Sequence, residues 1–225
     1  MAPTPAKAPN PVSDIMIPAK PFAQSIHPLL RTKPLPEKPP TNAMLFYEDQ
    51  CETLLVRLYD NTRSPSERIK DALSISALLL RIRNEDLAEE CAVTLMEMMQ
   101  EDSEHPSVRM VCAVAIGSSG IENLATIMER ILKSDSSVSS KLLALKALSI
   151  CRSDEAIELL AMVAQHGDVD ELCFAAAKEL AGIPLHQARK IVRQVLSHPP
   201  EAYMRRPEFA AELRKIVSEC YLPTN

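Results

Sequence analysis

The residue types able to do acid–base, nucleophilic or metal chemistry are poorly spaced for it in this chain. Five histidines stand at 27, 105, 166, 186 and 198. None falls in an H-x-x-x-H or H-E-x-x-H spacing, which on a helix would set two imidazoles on one face around zinc. The six cysteines, at 51, 91, 112, 151, 173 and 220, include no C-x-x-C pair, so neither a zinc ribbon nor a dithiol motif is written. Several lie inside apolar stripes, as Cys112 does in V-C-A-V-A-I. They read as small buried hydrophobes of a reducing compartment, with disulfides as the other reading. No serine sits in G-x-S-x-G. Four glycines in the whole chain leave no material for a phosphate-cradling loop. Carboxylates are plentiful, but an acid–base pair is defined by geometry, which spacing does not supply. The expectation is a chain with no catalytic residue, no cofactor and no metal, and so not an enzyme.

The elements that must carry these residues are helices. Hydrophobic residues make up 46% of the chain but aromatics only 4%, a mixture that suits close-stacked helices better than sheets. The periodicity predicts helices over 43–59, 65–82, 84–100, 106–117, 121–133, 137–151, 153–166, 169–181, 184–197 and 207–219. Ser64-Pro65-Ser66-Glu67 has the form of a capping box with proline in the first turn. Asn84 and Ser153 precede acidic first turns, and Asp168 to Glu171 offers a second capping box. Gly117, Gly167 and Gly182 stand where a glycine past the last turn would end a helix.

Residues 1–42 are of another kind. They hold eleven of the eighteen prolines and five Lys/Arg against two Asp/Glu, while the remainder carries 20 against 28. Such a segment is expected to be a disordered, extended tail ahead of a folded unit over 43–225. Within it, Lys33 to Pro39 fits the K-x-x-P-x-x-P pattern read by SH3 domains, with a plain spacer as the other reading. The apolar residues between Ile15 and Leu30 could lie in a groove of the same protein. The roles open to the tail are tether, autoinhibitory segment and export signal. With no basic head before an apolar run and no stretch near the ~20 residues that span a bilayer, a cytoplasmic protein without membrane insertion is expected.

A shift of 32 residues superimposes the folded region on itself. Arg109 falls on Lys141, Cys112 on Ala144 and Ala176, and Ile116 on Leu148 and Leu180. Leu124 falls on Ala156 and Ala188, Ile127 on Leu159 and Ile191, and Ile131 on Val163 and Val195. The small positions let helices approach and the branched ones fill the space between layers. With V-R-x-x-C-A-x-A-I-G at Val108 to Gly117, then Ile121 to Leu132 and Asp135, the chain over about 65–197 resembles the HEAT-repeat family, in the short form found in phycobilin lyase subunits. The second and third units depart from it: the arginine becomes Lys141 and then Cys173, and the glycine becomes Ser149. The resemblance implies an all-α α-α superhelix of about four helix pairs with capping helices. HEAT-like iron enzymes such as deoxyhypusine hydroxylase use His-Glu dipeptides, and this chain has none.

In such a superhelix the second helix of each pair is expected to line the concave face. That puts Thr126, Glu158 and Lys190 in one outward column, with Glu129 and Arg193 in a second and Arg130, Met162 and Gln194 in a third. These eight residues are the expected contacts for a segment of a protein partner. Eight acidic residues without a Lys or Arg between 85 and 104, and seven basic ones between 186 and 215, would add an acidic and a basic end. An acidic, aromatic-poor body speaks against nucleic acid. The function expected is a non-enzymatic interaction module, an adaptor or scaffold; the alternative is an enzyme or enzyme subunit resembling the bilin lyases.

Overall fold

The computed structural model describes residues 42–82 and 84–221, and every element in it is helical. The helices are α1 (Asn42–Tyr59), α2 (Pro65–Leu79), α3 (Glu85–Gln100), α4 (Pro106–Ser118), α5 (Leu124–Lys133) and α6 (Val138–Cys151). They continue as α7 (Asp154–His166), α8 (Asp170–Gly182), α9 (His186–Ser197), α10 (Glu201–Arg205) and α11 (Pro207–Tyr221). The tail expected over 1–42, with Lys33 to Pro39 and the apolar residues of 15–30, lies outside the described residues except for Asn42, which opens α1. No helix among the described residues is long and apolar enough to cross a membrane.

Local chemistry sets most of the boundaries. Ser64 and Glu67 close the capping box reciprocally ahead of α2. The Asn84 and Ser153 side chains accept from the first-turn amides of Leu87 and Ala156, each satisfying a donor that has no partner within the helix. Three expectations are corrected. The cap of α8 is Val169, with no side-chain bond, so Asp168 forms no box. Gly117 lies inside α4 rather than beyond it, and a Cβ there would stand 2.5 Å from the Ala147 carbonyl oxygen on α6. Its small size serves helix contact, not a turn. The third is α10, an unforeseen turn of helix after Pro199-Pro200 that buries Ala202 and Tyr203.

The helices pack as pairs in two layers. The first helices α2, α4, α6 and α8 lie side by side in one row, which α11 extends. The second helices α3, α5 and α7 each rest chiefly on the first helix that follows, and touch one another far less than the first helices do. Ile75, Leu95, Ile116, Ile127, Leu145 and Leu148 are fully buried between the layers. Phe174 stacks on Phe209 at 4.5 Å, with Tyr203 edge-on to both, and this cluster closes the C-terminal end.

Two buried arginines join the corners of the array. Arg68 donates from Nε to the Leu58 carbonyl at the end of α1 (2.9 Å) and from both terminal nitrogens to Glu104 in the α3–α4 turn. Arg109 repeats the first contact ten residues on from its own acceptor, Nε to the Met99 carbonyl at 2.9 Å. It then reaches Asp102 and Ser140, each at 2.9 Å. Removing one member of a buried pair leaves the other charge without compensation and costs about 3–5 kcal/mol. Arg68→Met should therefore lower the urea-unfolding free energy by about that much, and the double variant with Glu104→Gln should recover a large part of it. Lys133→Ala, which removes an exposed pair with Glu129, should change it by less than about 1 kcal/mol. Gly117→Ala should cost about 1–3 kcal/mol through overpacking on α6.

Candidate partner-binding surface

The eight residues expected to contact a partner divide into two groups. Thr126 and Glu129 of α5 and Glu158 and Met162 of α7 line one shallow depression of about 280 Å³. Arg130 is exposed on α5. Lys190, Arg193 and Gln194 are exposed on α9 and lie outside that depression. Glu129 already holds Lys133 at 2.6 Å. The structure thus brings four of the eight together and leaves the α9 residues apart.

Much of the expected charge polarity is spent on partners within the same molecule. In the acidic run, Glu104 and Asp102 take the two buried arginines, and Glu97 accepts from the Tyr59 hydroxyl at 2.6 Å. Burial and that carboxylate together push the Tyr59 hydroxyl well above the usual tyrosine range. Glu85 and Asp86 sit in the first turn of α3, where the helix dipole favours them. In the basic run, Arg205 pairs with Asp170 and Glu201, Arg206 with Glu171 at 2.7 Å, and Lys215 with Glu219 at 3.9 Å. The Arg205 hydrogen bond holds the Asp170 carboxyl below its ordinary value. Neither run is a free field of one sign.

A stretch of exposed apolar side chains lies on the first helices α4 and α6. The only ionisable side chain of α4 other than the buried thiol of Cys112 is Arg109, and it is turned inward. What α4 presents outward is Ser107, Met110, Val114 and Ser118, with Met110 43% exposed. On the neighbouring α6, Val138 and Leu142 are exposed at 46% and 37%. A groove of about 400 Å³ runs along this face, lined by Pro106, Met110, Leu142, Leu143, Lys146 and Glu179 among others. Its far wall is fixed: Glu179 accepts from Lys146 (3.0 Å) and from the Ser149 hydroxyl (2.6 Å).

The repeat explains the stripe. Ile69, Met110, Leu142 and Phe174 each follow the residue of the arginine column, Arg68, Arg109, Lys141 and Cys173. Ile69 and Phe174, at the ends, are half-buried against the core, the latter under Phe209. The middle two stand open. Sequence reasoning missed them because it looked for the partner surface on the second helices; the signal available was that the same register position is apolar in all four units.

One further cleft, of about 460 Å³, brings Cys173, His166 and Asp168 to its walls, a trio of types used in thiol catalysis. The thiol is not set up for it. Cys173 is 1% exposed and donates to the Gly167 carbonyl at 3.1 Å. Burial pushes its pKa up, and the nearby Asp170 charge pushes it further. An activated nucleophile shows the opposite shift. Cys112 is likewise raised by burial, to about 12. Among the described residues no group of three or more His, Cys, Asp or Glu could hold a metal ion. Native-state labelling with iodoacetamide at pH 8 should accordingly modify the partly exposed Cys151 and leave Cys173 and Cys112 unmodified until the protein is unfolded, as read by peptide mass mapping.

Comparison with models of protein families, with curated proteins and with solved structures gave no match to this chain.

Proposed function

We propose that the chain is a HEAT-like solenoid that works as a non-enzymatic protein-interaction module in the cytoplasm, and that its first-helix face receives an amphipathic helix of a partner protein. The single observation that carries this reading is the exposed apolar stripe of Met110 and Leu142 over a groove that crosses successive helices. Interface cores are depleted of charge and enriched in Met and aromatic residues, and an exposed apolar strip on an otherwise charged body marks a contact site. A groove walled by the fixed Lys146–Glu179 pair and floored by apolar side chains suits a helix that lays down apolar residues at i, i+3 and i+7. Methionine adapts to partners of varied shape. The free thiols at 51, 91, 112, 151 and 173 accord with a reducing compartment.

The depression under Thr126, Glu129, Glu158 and Met162 is a second surface for the same role, more polar and shallower. A display library of amphipathic helices, selected on the full chain, separates the two. The expected result is that selected peptides bind the wild type and the Glu158→Ala/Lys190→Ala variant alike. Met110→Glu/Leu142→Glu should weaken them at least tenfold while lowering the melting midpoint by only a few degrees, since both side chains are partly exposed. Binding that ignores the Met110/Leu142 change and vanishes with Glu158 and Lys190 would move the site to the second helices. A coloured complex with an added bilin would favour the lyase-like alternative instead.

A further inference from the structure

The apolar stripe of α4 and α6 continues onto α2. There Leu73 is 47% exposed, and Leu80, which caps the helix, is 61% exposed. α2 lies side by side with α4, and the Ser76 hydroxyl donates to the Ala115 carbonyl at 3.1 Å. Leu73 follows Arg68 at the same interval as Val114 follows Arg109, so the two hold one register position on neighbouring helices. Leu80 reaches the α4–α5 turn, where a Cβ at Gly120 would stand 3.1 Å from its Cδ2. An exposed apolar path thus runs from Leu80 through Leu73 to Met110 and Leu142, and ends in the groove over α4, α6 and α8.

The other end of the path is where the chain enters the fold. Arg81, next to Leu80, lies over the Tyr47 ring at 5.5 Å, which sets the first turns of α1 beside the end of α2. The residues ahead of Asn42 therefore join the described fold at the start of the path. They include one stretch of matching chemistry. From Pro21 to Leu30 the chain reads P-F-A-Q-S-I-H-P-L-L, with no Lys, Arg, Asp or Glu between Lys20 and Arg31.

We propose that Pro21–Leu30 is the groove's own occupant: it follows the path over Leu80 and Leu73, lays Ile26, Leu29 and Leu30 against Met110 and Leu142, and must be displaced by a partner helix. The inference rests on the first-helix face being the docking surface. The connection from Leu30 to Asn42 can span up to ~40 Å. Leu142 lies two helix spacings and about two turns from Leu80, roughly 20–25 Å, so the reach is sufficient. Pro21 and Pro28 favour an extended ligand over a helical one. Tethering makes the contact intramolecular, at an effective concentration in the millimolar range. A shallow apolar contact, too weak to hold a free peptide, is populated under that condition. A partner that binds only the open groove then loses affinity by the fraction of time the groove is filled.

The test uses the full chain carrying Leu29→benzoylphenylalanine, mixed with an isotope-labelled copy, irradiated while dilute and mapped by mass spectrometry. The expected links run within one chain, from residue 29 to the peptides that carry Leu73, Met110 or Leu142. Met110→Glu/Leu142→Glu should reduce the links to α4 and α6 about fivefold or more. A second full-chain variant, Ile26→Ser/Leu29→Ser/Leu30→Ser, should bind the selected helix peptides about threefold or more tightly than the wild type, because its groove stands open. Links confined to α1 or α3, links between chains, or no link at all overturn the proposal. So do links to α4 and α6 with unchanged peptide affinity, since the two ligands would then not share a groove. If no helix peptide binds any surface, the partner reading fails, and the cross-link map still decides whether the segment lies in the groove.

Discussion

A helix that ends against other helices leaves its last carbonyls without partners, and a stack of helix pairs meets this at every corner. Here the burden falls on a guanidinium. Arg68 and Arg109 occupy the fourth position of their helices, each entering a corner behind a first-turn proline, Pro65 or Pro106. Each places Nε on a carbonyl at the end of an earlier helix and keeps the terminal nitrogens for something beyond. For Arg68 that is Glu104 in the next corner; for Arg109 it includes Ser140 at the start of the next first helix. Asp102 extends the chain of contacts by accepting from Ser137. The planar fork of arginine suits this double duty, and a lysine ammonium does not. The corners are therefore tied to one another as well as closed.

This bonding shapes the outside of the protein. An arginine drawn inward is a charge withdrawn from the surface, and α4 has no other to show. The apolar outward face of Met110 and Val114 is in that sense a by-product of the corner chemistry. The acidic run from 85 to 104 is thinned for the same reason, since its last carboxylates serve the two arginines. Toward the C-terminus the chemistry changes. At the arginine position stands Cys173, whose thiol meets a single carbonyl, and charged closure passes to Arg205 at the end of α10 and Arg206 just beyond it, which reach back to Asp170 and Glu171.

Local features were legible in the sequence and distant ones were not. The helix spans, the Ser64–Glu67 box and the Asn84 and Ser153 caps depend on neighbours within four residues, and the 32-residue echo marks positions such as Ile116 and Leu148 that meet the core. Gly117 was misread because a glycine near a helix end fits a turn as well as a crossing; the choice depends on α6, thirty residues away. Asp168 had the right spacing for a box, but the chain turns one residue later. The short α10 is five residues of ordinary composition, made helical by what Ala202 and Tyr203 bury. The groove beside Met110 and Leu142 was hidden because Arg109 counts as a surface charge until its partners are known. Of the eight residues expected at a partner site, four of the five on α5 and α7 share a depression because those helices are neighbours; Arg130 stands outside it, and the α9 three lie one step further along.

The sequence repeat and the packing unit are out of phase. In sequence a first helix is followed by its second helix, but in space α1 rests on α2, α3 on α4, α5 on α6 and α7 on α8. The described chain accordingly opens with a helix of the second type and finishes with α11, which prolongs the first-helix row. The seams of the molecule then lie at the turns after α2, α4 and α6, and not at the arginine-tied corners. The turn at 119–123, with Gly120 and Asn123 both in the left-handed region, is such a seam: a splice there would pass between intact packing units, whereas one at 101–105 would divide a single unit and sever the bonds that join it to both neighbours.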